Sequence, residues 1–206
     1  ALKIAIATSI LPVGQASPDC EQAVQNAVKL LEQLGHPIET ITPDFSSIIE
    51  PFTLVWKSGV AAAGIPAEYL GSVNQWLMET QITAGQYLQA VTKMQVAGRQ
   101  IVASLSPFDV VVLPTYMHPT ISVGEYAQLS PEETLQKIIQ WIAPCPAFNV
   151  SGQPAIAIPT GFTPEGLPIG VQLVGKPATE ATLIALAAQL EAIQPWEHHR
   201  PPIVNS

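Results

Sequence analysis

An α/β fold is predicted by three features of this sequence. Near its start, an apolar run, an amphipathic stretch and a second apolar run follow one another, which is the order of a βαβ unit. In the middle, Asp109-Val110-Val111-Val112-Leu113 has the length and β-branched content of a buried strand. Near the end, Ala155–Pro159 and Ile169–Val174 are two Ile- and Val-rich runs bounded by glycine and proline. The segment between them contains Thr163-Pro164-Glu165-Gly166, which reads as a turn joining two paired strands.

Each element follows from its own residues. Leu2–Ala7 opens the chain as a strand. A secretion signal is the competing reading, but Thr8, Ser9 and Pro12 interrupt the apolar core and only Lys3 precedes it. Ser17 caps the next helix and Pro18 takes its first position. Ala23, Val24, Ala27, Leu31 and Leu34 recur at helical spacing, and Gly35 supplies a left-handed end. Ile38–Thr42 returns as a second strand, parallel to the first with a right-handed crossover. From Asp44 to about Leu105 the chain reads as mostly helical. Thr83 caps a long segment with Tyr87, Leu88, Val91, Met94, Ile101 and Val102 among its apolar positions, and Trp56, Tyr69 and Trp76 are expected in the core. After the Asp109–Leu113 strand, Pro114-Thr115 leads into a loop with Tyr116 and His118. Ser130-Pro131-Glu132-Glu133 is a capping box for a helix that buries Leu135, Ile138, Ile139 and Ile142 and stops at Pro144. The paired strands follow. Both are apolar at nearly every position and are expected to be covered on both faces. A last helix begins near Thr179, buries Leu183, Ile184, Leu186, Ala187 and Leu190, and ends before Pro195; a loosely packed tail is expected after Gln194.

Length suits a single domain spanning residues 1–206. Charged residues make up only 12% of the chain, against roughly 25% in an ordinary soluble domain. Two readings are open: a globule solubilised by its Gln, Ser and Thr, or a piece whose apolar face is covered by a further stretch of polypeptide. The net charge of -8, without any cluster of lysine or arginine, argues against a nucleic-acid partner and against an anionic membrane. No apolar run is long enough to span a bilayer. Cys20 and Cys145 could form one disulfide or remain as two reduced, buried thiols; the second fits a cytoplasmic protein. No CxxC or His-rich spacing points to a metal. His198-His199 are adjacent, share no face, and read as an exposed tail. No cofactor is expected.

The most specific block runs Phe148-Asn149-Val150-Ser151-Gly152-Gln153-Pro154, then Ala155-Ile156-Ala157-Ile158-Pro159-Thr160-Gly161, then Gly166-Leu167-Pro168-Ile169-Gly170-Val171-Gln172-Leu173-Val174-Gly175. Each glycine or proline alone speaks of turn geometry. Their joint order resembles the closing β-hairpin of the amidase signature family. The opening strand with residues 17–36, and Phe108-Asp109 through Pro114-Thr115, resemble other parts of that family, so the likeness covers nearly the whole chain. It implies a three-layer α/β/α sandwich with a mixed sheet, and hydrolysis of amides or transfer of their ammonia.

The resemblance also implies a serine nucleophile, a second serine in a cis peptide and a lysine base, with both serines on a Gly-Ser-rich run. A weak nucleophile needs that whole set within reach. Such a run is absent from this sequence. Ser46-Ser47 lacks flanking glycines, Lys57-Ser58-Gly59 sits in a helical stretch, and Ser151-Gly152 falls in the hairpin block. Lys3, Lys29, Lys93, Lys137 and Lys176 have no Gly-Ser-rich partner. A triad of His118, Ser151 and Asp109 can be written down, but isolated residues of these types occur in every domain.

The expectation is therefore the carboxy-terminal portion of an amidase, with no catalytic residue of its own and inactive alone. Its partners would be the amino-terminal half of the enzyme and a small amide substrate. The alternative is a non-catalytic binding or partner module that keeps the fold. An unrelated doubly wound domain would need a glycine loop after the first strand, and Thr8-Ser9-Ile10-Leu11-Pro12 is not one. Ligands collect beyond the carboxyl ends of strands in such sheets, so the substrate wall is assigned to Thr115, Tyr116, His118, Ile142 and Cys145. Phe148, Asn149, Gly152 and Pro154 are assigned to structure. Glutamine-using relatives carry an acid shortly before the Phe-Asn segment. Trp141–Pro146 holds none, which favours an uncharged or apolar amide unless that charge lies in the other half.

Overall fold

A computed structural model describes residues 1–199 of the chain. The elements run β1 (Ile4–Ile6), β2 (Ser9–Ile10), β3 (Gly14–Gln15), α1 (Pro18–Gln33), β4 (Ile38–Thr40), α2 (Ser46–Ala62), a 3-10 turn (Ala67–Tyr69), α3 (Ser72–Glu79) and α4 (Ala84–Leu105). They continue with β5 (Val110–Pro114), α5 (Pro131–Trp141), α6 (Pro146–Ser151), β6 (Ala155–Phe162), β7 (Pro168–Gly175) and α7 (Glu180–Ile193). The main sheet has five strands in the order β4-β1-β5-β7-β6. β1 is parallel to β4 and β5, whereas β7 is antiparallel to β5 and β6, so the sheet is mixed.

Local chemistry sets the helix ends as the sequence predicts. The Cys20 amide donates to Ser17 Oγ, Pro18 sits in the first turn, and Gly35 takes φ +78° just beyond the helix. Thr83 with Gln86, and Ser130 with Glu133, form reciprocal capping boxes. The hairpin turn closes through Thr163 N–H to Leu167 C=O at 2.8 Å, with Gly166 at φ +84°. Helices α1 and α7 pack together and against β6 and β7. On the other side α2, α4 and α6 pack as a group, and Ala97, Ile101, Leu105, Ala147 and Phe148 join the same core as the sheet. The result is a three-layer α/β/α arrangement around a mixed sheet.

The structure corrects several expectations. β7 is covered on both faces, but β6 alternates buried and exposed positions, because it is the edge of the sheet. The segment from Pro146 to Ser151 is a short helix, not a lead-in to the hairpin; Pro146 starts it and Gly152, at φ +70°, ends it. Tyr69 is 77% exposed and Trp56 and Trp76 are only half-buried. They pack locally instead, Trp56 against Phe52 and Trp76 under the Lys57 ammonium. Tyr87, Leu88 and Ile184 are exposed. Ile138, Ile139 and Ile142 are half-buried, leaving Leu135 as the one fully buried residue of α5. Both cysteines are free thiols, Cys20 buried and Cys145 half-buried. In each helix concerned, apolar residues occupy more of the surface than the described chain covers. His198 and His199 are exposed, and residues 200–206 of the expected tail lie outside the described residues.

Candidate active-site wall

β5 delivers the chain to the loop that carries most of the sequence-predicted site. The Thr115 amide donates to Gly170 C=O at 3.2 Å, which ties the loop to β7. The Met117 amide donates to Trp141 C=O at 2.9 Å, and Met117 C=O accepts from the Ser17 amide at 2.7 Å. Three elements thus pin the backbone from Thr115 to Met117, and the Met117 side chain is buried. Gly170 allows this closeness: a Cβ there would stand 2.7 Å from Ile158 C=O and 3.5 Å from Thr115 Oγ1.

Trp141, at the end of α5, organises the outer part of the loop. Its indole N–H donates to His118 C=O at 2.9 Å. Its ring lies 4.6 Å from Tyr116 and 5.8 Å from His118, the latter stacked at 19°. Offset aromatic contacts of this kind contribute beyond simple burial. His118 Nδ1 lies 2.8 Å from Pro119 C=O. A carbonyl only accepts, so the proton is on Nδ1, and Nε2 of the neutral ring is left as an acceptor. The Cys145 thiol donates to Thr115 C=O at 3.4 Å. Burial pushes the Cys145 thiol above its ordinary pKa, so it remains S–H at neutral pH and is a poor nucleophile.

Four of the five predicted wall residues therefore meet: Thr115, Tyr116 and His118 on the loop and Cys145 against it. Thr115 Oγ1 is buried and finds no partner among the described residues. Ile142 belongs to a neighbouring shallow apolar groove, shared with Ile139 and Ala143 on one side and Leu11, Ile49 and Phe52 on the other. On the opposite flank, His118 joins Tyr126, Lys137 and Gln140 around a polar hollow that includes Glu125. Burial, then the Glu125 charge, pushes the Tyr126 hydroxyl upward in pKa. The sequence reading missed Trp141 as the organiser; no periodic pattern links it to residues 116 and 118, and only the fold brings them together.

Three of the serines weighed as nucleophiles, Ser46, Ser58 and Ser151, serve local structure. Ser46 donates to Asp44, Ser58 to Leu54 C=O within α2, and Ser151 to Gln153 Oε1. Asp109 precedes β5 whereas His118 follows it, so a strand of about 17 Å separates their ends. Asp109 is occupied by Lys176 Nζ and the Lys3 amide, each at 2.9 Å, and these two hold its carboxyl below the usual range. His118, Ser151 and Asp109 form no triad. Among the described residues no three His, Cys, Asp or Glu side chains gather as a metal site, and no helix is long and apolar enough to cross a membrane.

Comparison with known proteins gives a consistent answer. The Amidase family model matches residues 1–184. A protein of Synechocystis sp. named "Putative amidase" is 49% identical over 190 residues, which cover 92% of this chain and 37% of that protein. The 6-aminohexanoate-cyclic-dimer hydrolase of Paenarthrobacter ureafaciens is 29% identical over 222 residues, covering 94% of this chain and 44% of that one. A solved structure of 6-aminohexanoate cyclic dimer hydrolase superposes with a TM-score of 0.89 at 26% identity, over 100% of this chain and 47% of the other. The chain thus spans less than half the length of each of these relatives. The mixed sheet, the glycine- and proline-marked hairpin and the match along residues 1–184 establish that this chain belongs to the amidase signature family.

Proposed function

We propose that this chain is the scaffold and one pocket wall of an amide-bond hydrolase, and that its nucleophile and base come from polypeptide outside these residues. One observation carries the reading: the family match extends over residues 1–184, yet of the serines weighed as nucleophiles Ser46, Ser58 and Ser151 are engaged in local structure and Ser47 lies in the first turn of α2 with no glycine beside it. In the completed enzyme an activated serine attacks the amide carbonyl, the amine leaves with a proton, and water releases the acid from the acyl-serine. Residues 115–118, held by Trp141 and Cys145, line one side of the substrate.

The substrate class is an uncharged or apolar amide. The wall offers the Tyr116 and His118 rings and the Nε2 acceptor, and Trp141–Pro146 contributes no carboxylate to meet an α-amino group. The name of one relative, 6-aminohexanoate-cyclic-dimer hydrolase, fits that class. The test supplies the amino-terminal portion of the amidase, in trans or fused, and follows cleavage of simple amides. Turnover should need both portions. Serine-dependent turnover by this chain alone, or none by a soluble, correctly paired complex, would overturn the reading.

A further inference from the structure

On β5 and β7, which pair inside the sheet, Gln172 carries the one polar side chain. It is 6% exposed and lies in register between Leu113 of β5 and Ala157 of β6. A primary amide in such a place is costly unless it is bonded. Gln172 Nε2 donates to Pro144 C=O at 3.1 Å. A carbonyl only accepts, so this contact fixes which end of the amide is nitrogen.

Pro144 is buried in the turn, residues 142–145, that joins α5 to α6. That turn and Trp141 before it form a strap across the site loop. Trp141 C=O accepts from the Met117 amide, its indole donates to His118 C=O, and the Cys145 thiol donates to Thr115 C=O. Each of these bonds ties strap to loop. Among the described residues, Gln172 supplies the one side-chain hydrogen bond from the strap to a strand of the sheet. Two residues along β7, Gly170 C=O accepts from the Thr115 amide. The bonds therefore close a circuit from Gln172 to Pro144, Cys145, Thr115, Gly170 and back along β7. Positions 170 and 172 face the same way because strand side chains alternate. Thr115 Oγ1 lies 3.5 Å from where a Gly170 Cβ would stand, so loop and strap sit over one face of β7.

We propose that Gln172 is a positioning residue of the pocket wall: its amide sets the distance of the strap from β7 and, through Cys145, the place of Thr115. The inference rests on the proposed function above, which takes residues 115–118 as the substrate's wall. Gln172 meets no reacting group. With its bond made, the wall is held from two points on one strand. Without it, the strap is bonded only to the loop that it steadies.

Thiol labelling under native conditions, read at each cysteine by mass spectrometry, tests the circuit without a catalytic assay. Cys145 lies in the circuit. Cys20, on α1 in the opposite layer, is 2% exposed and serves as the internal reference. Gln172→Met keeps the length of the side chain and removes the donor. Labelling of Cys145 relative to Cys20 should then rise about tenfold, as a local opening produces and global unfolding does not. Leu186→Ala, in α7, removes core contacts outside the circuit and should leave that ratio unchanged. Gln172→Glu restores a donor only while protonated. Its ratio should match that of the unsubstituted chain at acid pH and climb towards the Gln172→Met value above the carboxyl's pKa, which burial raises from about 4.3. In the chain joined to the amino-terminal portion of the amidase, Gln172→Met should raise KM about tenfold and change kcat by less than about twofold. An unchanged labelling ratio in Gln172→Met would overturn the inference and leave the proposed function standing, as would a fall in kcat with KM unmoved. A raised ratio in a joined protein that cleaves no amide, substituted or not, would support the circuit while defeating the proposed function.

Discussion

The centre of the sheet and the flank formed by α2, α3 and α5 draw on similarly apolar sequence and reach different ends. All five residues of β5 are buried, and α1 buries Cys20, Ala23, Val24, Ala27 and Leu31 along one stripe. In the flank, α2 fully buries only Ile48 and Pro51, and α3 only Leu77. Ile49, Phe52, Ile139 and Ile142 are left half-covered around the apolar groove. Apolar periodicity marks which face of an element favours burial; it does not say whether this stretch of polypeptide supplies the cover. The flank is where the two readings of the low charge content separate, and its state favours a face made to be covered.

The largest expected effect breaks the centre. Leu173 is fully buried on β7, and Leu173→Ala should cost about 3 kcal/mol in urea unfolding, through lost transfer energy and a cavity. Ile139→Ala, at the open groove, should cost about 1 kcal/mol or less because its side chain is already part-solvated. Equal losses at the two positions would erase the contrast.

Glycine substitutions sharpen it by changing sign. Gly170→Ala places a Cβ 2.7 Å from Ile158 C=O, a backbone atom that yields only by moving β6, and should destabilise by about 2 kcal/mol. Gly59 lies in α2 with nothing within 4 Å of the new atom. Gly59→Ala should stabilise by about 0.8 kcal/mol through helix propensity and a less free unfolded chain.

Trp141 joins the two regions, since α5 borders the groove and its last residue holds the site loop. Trp141→Phe keeps a ring beside Tyr116 and His118 but deletes the bond to His118 C=O. A loss of about 1 kcal/mol is expected in thermal or urea unfolding. If residues 115–118 line the substrate as proposed, KM for the amide in the assembled enzyme should rise more than kcat falls, because a positioning loop supplies no reacting group.

The smallest effect is a dependence on pH. Asp109 is held below its ordinary pKa first by the Lys176 ammonium and then by the Lys3 amide. A depressed carboxylate adds stability that is present above its unfolded value and lost as pH falls through its folded one, so the loss should begin below about pH 4. Asp109→Asn should flatten that part of the profile. The change will be slight, since both side chains of the pair are more than a third exposed and solvent screens them.

Local rules made much of this molecule legible. Ser17-Pro18, Thr83 and Ser130-Pro131 name helix starts because a side-chain oxygen and a fixed φ act within one turn of chain. The βαβ order, the β5 run and the hairpin with Gly166 in its turn follow from hydrophobic period and backbone sterics. The candidate wall's layout was legible in part: Thr115, Tyr116 and His118 follow β5 directly, so their place on one loop can be read from the strand's end. Trp141 and the separation of Ile142 from the other wall residues were not legible. They depend on how α5 lies across the loop, and no period in the sequence encodes that.

The sequence by itself determined most of the elements, the caps of α1, α4 and α5, the hairpin turn, and the family, because each depends on neighbours in the chain or on an ordered set of residues. Tertiary structure alone decided that β6 is an edge although its composition reads as interior, that Pro146–Ser151 forms a helical turn against α4, and that the aromatics of α2 and α3 stay near the surface. The physical reason is common to all three. Burial is a property of what packs on a residue from elsewhere in the chain, and a side chain's own hydrophobicity reports only its tendency to be covered.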